Sequence, residues 1–238
     1  MLKSIEYPYA HLHAQLDQGV LILSIDRAEA KNALNMDLYI NLRQAICEAD
    51  QASEVRVLIL RGVDQDFSAG NDIQSFFQLP ELPQAGQAGS TPPFMLLKAM
   101  AEFSKPCIAA VRGACIGVAN TLLLHFDFVY ADNTATFQMP FVSLGLSLEG
   151  AASLLLVQRA GYHLAADILL SAKKYDAHKA LEAGIINEVV DNPYESATAQ
   201  AEHLASFPIA SLKAVKKLMK HNIDQILKCI DDEAEVVI

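Results

Sequence analysis

Phe67-Ser68-Ala69-Gly70-Asn71-Asp72-Ile73 and Arg112-Gly113-Ala114-Cys115-Ile116-Gly117-Val118 are the two stretches whose reading decides the fold of this chain. They lie about fifty residues apart. Each follows an apolar run that reads as a strand: Val55-Arg56-Val57-Leu58-Ile59-Leu60 before the first and Cys107-Ile108-Ala109-Ala110-Val111 before the second. Glycine lets the backbone turn sharply and leaves peptide N–H groups open to a ligand. Two such turns facing each other can aim two N–H donors at one oxygen. That is an oxyanion hole, usually the largest electrostatic contribution in acyl chemistry.

Working outward, residues 19–25 (GVLILSI) read as a buried strand. Asn35 caps a helix running to about residue 50, with Leu38, Leu42, Ala45, Ile46 and Ala49 on one face. Residues 72–77 read as a short helical start, and 78–93, with four prolines and two glycines, as a surface loop. Helices are expected over 94–103 and 118–126, and short strands over 128–131 and 135–138. Glu149 is expected to open a helix to about residue 160, followed by helices over 161–171 and 176–183 and a strand over 185–190. From residue 193 the chain reads as helical. Alternating strands and helices imply an α/β core with largely parallel pairing over residues 1–190, and a helical region over 191–238.

The composition, 52% hydrophobic and 19% charged over 238 residues, suits a well-packed globular protein. A net charge of −10 argues against a nucleic-acid or membrane-surface partner, for which a basic patch is expected. An anionic ligand would have to be met by a few lysines or by helix N-termini. Cys47, Cys107, Cys115 and Cys229 show no CxxC spacing and read as free thiols of a reducing compartment. With no apolar signal core at the start and no run long enough for a bilayer, a cytoplasmic location is expected.

Arg27…Lys31-Asn32-Ala33-Leu34-Asn35, FSAGNDI, KPCIAAVRGACIG, FDFVYAD, FQMPFVSLGL and AGIINEVVD, in this order and spacing, resemble the crotonase or enoyl-CoA hydratase/isomerase family from about Gly19 to Lys217. The resemblance implies stacked β-β-α turns in a spiral core, then a helical C-terminal region that builds homotrimers or hexamers. It also implies an acyl-CoA thioester as ligand, with the thioester oxygen between the backbone N–H groups of Asn71 and Val118. The family often has glycine where this chain has Val118. By the same resemblance Ala30, Lys31, Ala33, Ala69, Asp72 and Ile73 fall where the family's backbone holds the adenine and pantetheine portions, Gly70, Gly117 and Phe141 are further substrate-binding residues, Phe77, Phe94 and the 78–93 loop border the acyl pocket, and Lys213 is among the lysines that contact phosphates.

The acid/base groups then choose the reaction. Hydratases of the family use two carboxylates, and at those positions this chain has Thr121 and Phe141. One acid remains nearby, Glu149 in LGLSLEG, which resembles the Δ3,Δ2-enoyl-CoA isomerase branch, where a single glutamate is the base. One carboxylate suits a 1,3-proton shift that consumes no water and requires no metal or separate cofactor, coenzyme A being part of the substrate. Apolar neighbours such as Phe141, Leu146 and Leu148 are expected to raise the pKa of Glu149 by desolvation. Its competing reading is an ordinary first-turn glutamate favoured by the helix dipole.

Three other readings compete. A non-catalytic acyl-CoA-binding homologue and a hydratase-like enzyme both keep the same pocket. Gly113-Ala114-Cys115-Ile116-Gly117 also fits a nucleophile elbow, which would make Cys115 the nucleophile of a hydrolase with Asp191 and His203 as partners. His11 and His13 would share one strand face, and without a third ligand they read as surface histidines. Asp72 either orients the first glycine turn or caps a local helix. Lys213, Lys216, Lys217 and Lys220 share a helix face, either solvated or turned to phosphate.

Overall fold

The computed structural model describes residues 3–5, 9–72 and 88–236. Among the described residues ten strands make two sheets. The larger is built from β1 (Lys3–Ile5), β2 (Leu12–Asp17), β3 (Val20–Ile25), β4 (Val57–Gly62), β5 (Cys107–Val111), β7 (Phe128–Ala131) and β10 (Glu188–Val189), side by side in that order. The smaller joins β6 (Ala114–Ile116), β8 (Thr136–Gln138) and β9 (Tyr175–Asp176). From β3 through β10 the larger sheet is parallel, with Val20 opposite Val57 and Ile108 opposite Phe128. A parallel sheet is covered on both faces. That is why all six residues of β3 and all five of β5 are buried, whereas β2, antiparallel and nearer the edge, starts by alternating buried and exposed.

Nine α-helices lie among the described residues: α1 (Met36–Gln51), α2 (Pro92–Glu102), α3 (Val118–Leu123), α4 (Ala152–Ala160), α5 (Tyr162–Ser171), α6 (Ala177–Glu182), α7 (Pro193–Ala205), α8 (Ile209–Met219) and α9 (Ile223–Glu235). Asn35 caps α1 as read from the sequence, its side chain accepting from the Leu38 N–H at 2.9 Å. Leu38, Leu42, Ala45, Ile46 and Ala49 are buried on one side of the sheet in a core shared with α2, α3 and α9. Ala197, Ala201 and Leu204 of α7 cover the other side, against Val20, Ile22, Val57, Ile59 and Ile108. No helix among the described residues is long and apolar enough to cross a membrane.

Several sequence expectations are corrected. Glu149 does not open a helix: α4 starts at Ala152, so the helix-dipole account of that acid does not apply. The helix expected over 118–126 stops at Leu123, and the strand over 185–190 shrinks to Glu188–Val189. His11 sits in a left-handed turn (φ 63°) ahead of β2, so it shares no strand face with His13. Both histidines instead bond Asp26, His13 Nε2 to its carboxylate at 2.5 Å and His11 Nδ1 to its carbonyl at 3.1 Å. No cluster of three metal-binding side chains occurs among the described residues. Of the proline-rich stretch, Pro92 and Pro93 begin α2, where a missing N–H costs nothing. Residues 73–87, including Ile73 and Phe77, lie outside the described residues.

The lysines of α8 and its end do not form one solvated face. Lys216 is 6% exposed. Its Nζ donates to the Lys105 carbonyl at 2.7 Å and to Asp127 at 2.7 Å. Lys220 donates to the Ala101 and His125 carbonyls at 3.1 and 3.3 Å. Asp127 in turn accepts the Cys107 N–H at 2.8 Å, so the pair ties the C-terminal helices to the start of β5. Replacing Lys216 with Met leaves this carboxylate without its cation. The expected cost is about 3–5 kcal/mol, read as a lower midpoint in urea with the slope unchanged.

Candidate active site

The two glycine turns meet. Ser68 pairs with the smaller sheet, its N–H donating to the Ala114 carbonyl at 2.9 Å and its carbonyl accepting from Ile116 at 3.1 Å. Two residues on, the Leu34 N–H donates to the Gly70 carbonyl at 2.7 Å and the Asp72 N–H to the Leu34 carbonyl at 2.9 Å. In such a parallel bridge the intervening residue, Asn71, turns its own N–H away from Leu34. Gly70 has φ +85°, and a Cβ there would stand 2.4 Å from the Ile116 carbonyl oxygen and 3.8 Å from the Gly117 Cα. Only glycine lets the first turn come this close to the second.

The second turn leaves another N–H outside the backbone pairing. Gly117 (φ 58°, ψ −124°) precedes α3, and its carbonyl accepts from Asn120 and Thr121. Val118 is the first residue of that helix, where the N–H has no intrahelical partner. Among the described residues neither the Asn71 nor the Val118 N–H donates to a protein acceptor. A Cβ placed on Gly117 would meet nothing within 4 Å, so the space beside the turn is open.

Glu149 approaches from a third element. It is 7% exposed, and its Oε1 has no hydrogen-bond partner among the described residues. The next residue, Gly150 (φ +74°), packs on α3 and α2: its Cβ would lie 3.1 Å from both Thr121 and Leu97. His125 Nε2 bonds the Gly150 carbonyl at 2.9 Å. Glu149 is therefore held beside the helix that starts at Val118. Burial, helped by the nearby charge of Glu233, pushes its carboxyl up to about 8. Leu146, expected among the desolvating neighbours, is 41% exposed.

Tyr39 was not singled out from the sequence. It is fully buried on α1, its hydroxyl donates to Asn71 Oδ1, and Glu149 adds to burial in raising its pKa. One phenol thus stands between the first donor turn and the acid. The available signal was a tyrosine four residues after the Asn35 cap on an otherwise apolar face. Tyr39→Phe should cost about 1 kcal/mol of stability and lower turnover while coenzyme A binding stays intact; a calorimetric titration beside the kinetics checks both.

Arg27 Nη1 pairs with Asp72 at 2.6 Å and donates to the Ala33 carbonyl at 3.1 Å. Asp72 thereby ties the first turn to the connector; the local helix it would otherwise cap lies outside the described residues. Asn32, fully buried, donates to the Val63 and Asp66 carbonyls at 3.0 and 2.7 Å. These bonds shape a cleft of about 490 Å³ lined by Ala28, Lys31, Asn32 and residues 63–66. Lys31 lies in this cleft; Ala30 and Ala33 flank it in sequence, and Ala69 donates its N–H to the Lys31 carbonyl at 2.9 Å. Phe141 is buried just before the 142–144 turn. Lys213 lies elsewhere, near Lys105, whose pKa is lowered by burial and then by the Lys213 charge, and Lys105 caps the far end of α1 through the Ala49 and Ala52 carbonyls. Cys115 is fully buried in β6 and its thiol is pushed well up by burial, whereas His203 is exposed and packs against Phe207, so the cysteine-hydrolase triad is not assembled.

The family model for enoyl-CoA hydratase/isomerase matches residues 15–235. A crystal structure described as an enoyl-CoA hydratase/isomerase from Acinetobacter baumannii is 54% identical, covers 95% of each chain and superposes with a TM-score of 0.90. Enoyl-CoA delta isomerase 2 of Rattus norvegicus is 29% identical over 90% of this chain, which spans 56% of that protein's length. The 2,3-dehydroadipyl-CoA hydratase of Escherichia coli (strain K12) is 30% identical over 89% of this chain and 82% of its own.

Proposed function

The chain belongs to the enoyl-CoA hydratase/isomerase family, and from that premise we propose that it is an acyl-CoA isomerase moving a double bond from C3 to C2 of an enoyl-CoA. The observation that carries this reading is the unoccupied Oε1 of Glu149, a buried carboxylate beside the donor-bearing helix, where the hydratase acids are replaced by Thr121 and Phe141. The Glu149 carboxylate takes the C2 proton. The electron pair passes into a dienolate whose oxygen is held by the Asn71 and Val118 N–H groups. The same carboxyl returns the proton at C4, the double bond settles between C2 and C3, and no atom is gained or lost. A group that must act as base and then acid works best with a pKa near the working pH, which suits a carboxyl held near 8.

Coenzyme A enters as part of the substrate, its nucleotide near Lys31 and the cleft of residues 63–66, and the proton shift calls on no separate cofactor. The hydratase relative favours a second reading, water addition. Purified protein mixed with trans-3-hexenoyl-CoA tests both: growth of the conjugated 2-enoyl thioester absorbance supports the isomerase, and conversion of a 2-enoyl-CoA to the 3-hydroxyacyl thioester would overturn it. Binding with neither conversion would leave a non-catalytic acyl-CoA-binding protein.

Val215, Leu218 and Met219 on α8 are 55%, 75% and 69% exposed, a patch that supports self-association, which the family resemblance implies as a homotrimer or hexamer. Light scattering should give three or six times the 25.9 kDa chain mass, and Leu218→Asp should shift it toward smaller species.

A further inference from the structure

We propose that Glu233, carried in from α9, is a positioning residue for Glu149: its carboxylate clamps the turn that presents the acid and lays a second negative charge beside it. The role holds only with Glu149 as the proton-transferring group proposed above. Glu233 is 6% exposed. Its Oε2 accepts the Ala151 N–H at 2.7 Å, and its Oε1 accepts the Ser153 N–H at 2.9 Å and the Ser153 hydroxyl at 2.6 Å. Both oxygens thus receive donors, which favours the ionised carboxylate against the burial that raises its pKa. That engagement with the backbone of the turn gives it the role of a clamp and not of a second catalytic acid.

The turn requires such a clamp. Gly150 and Ala151 both have positive φ, 74° and 56°, the latter strained for an alanine. Ala151 stands at the N-cap of α4 and has no side chain to cap it. Glu233 supplies the missing cap from 80 residues away. Glu149 is the residue just before this pair, so its direction follows from how firmly they are held. Tyr39 from α1 and Glu233 from α9 interact with it electrostatically, and His125 after α3 bonds the neighbouring Gly150 carbonyl; Cys229 of α9 lies by Ser153 and Glu233. Lys98 is turned to the Gly89 carbonyl at 3.1 Å and to Asp231. Burial keeps His125 neutral, pushing it down to about 3, and raises Tyr39 and the Cys229 thiol. That leaves Glu233 as the charge that acts on Glu149, in the direction that holds its proton.

Infrared difference titration of the Glu149 carboxyl, assigned by its loss in Glu149→Gln, reads this directly. Wild type, Glu233→Gln and Glu233→Asp are titrated and assayed with trans-3-hexenoyl-CoA, with circular dichroism as the fold check. Glu233→Gln removes the charge, and the Glu149 midpoint should fall by on the order of one pH unit, with the alkaline-rising limb of kcat/KM moving with it. Glu233→Asp keeps the charge but is one methylene short of both N–H groups; its midpoint should stay near wild type while kcat falls about tenfold. A purely structural cap would lower stability without moving either pH reading, and an unmoved midpoint in Glu233→Gln overturns the proposal. If that variant does not fold, wild-type kcat in Glu233→Asp overturns it. Full activity in Glu149→Gln would sink the isomerase reading instead, while the infrared midpoints still judge the coupling between the two acids.

Discussion

Glu149→Gln should lower turnover of trans-3-hexenoyl-CoA by at least about a hundredfold, the contribution of one general acid/base, with the fold and thioester binding retained. Glutamine keeps the shape of the side chain and cannot carry the proton. The wild-type pH profile adds an independent check. The acting form is the carboxylate, and burial with the Glu233 charge places its pKa at about 8. Below that value the free enzyme holds the proton, so kcat/KM should fall tenfold for each pH unit of acidification. It should level off above the pKa, until other groups titrate. A profile flat from pH 5 to 9 would show that no buried carboxyl of this kind governs the reaction. Retained activity in Glu149→Gln would place the proton transfer on another group.

Gly70→Ala should be the second large loss. The new Cβ would stand 2.4 Å from the Ile116 carbonyl oxygen at a φ of +85°, so it meets backbone that belongs to the second donor turn. The two turns must part, and the Asn71 N–H can no longer share one oxygen with the Val118 N–H. Losing one such donor lowers kcat by about 10²–10³. Gly117→Ala is the informative companion, because its Cβ meets nothing within 4 Å and only the backbone conformation (φ +58°) is disturbed. Stability should drop more in Gly70→Ala than in Gly117→Ala, while both lose turnover; a thermal melt beside the kinetics separates collision from misaimed donors. Wild-type kcat in Gly70→Ala would mean that this pair of turns does not polarise the thioester.

Much of this molecule could be read from local pattern. The apolar runs at β3, β4 and β5, the Asn35 cap and the buried face of α1 follow from hydrophobic spacing and capping chemistry, which act over a few residues. The two glycine turns were legible because each follows an apolar strand run, and Glu149 was singled out because it was the acid left where the resemblance implied one. Where Glu149 lies relative to its helix was not legible, since Ala151 adopts a left-handed conformation that its residue type disfavours and that Glu233 holds from the other end of the chain. The inward turn of Lys216 and Lys220 was hidden for the same reason. Helical spacing assigns them a common face, and only the packing of α8 on the start of β5 decides that the face meets Asp127. Tyr39 reads as one more core aromatic until Asn71 arrives beside it. The sequence by itself determined the main strands and helices, the two glycine turns and the choice of Glu149 as the candidate acid. The tertiary structure alone decided which distant groups stand around that acid, because burial and charge act through space between segments whose separation along the chain carries no signal.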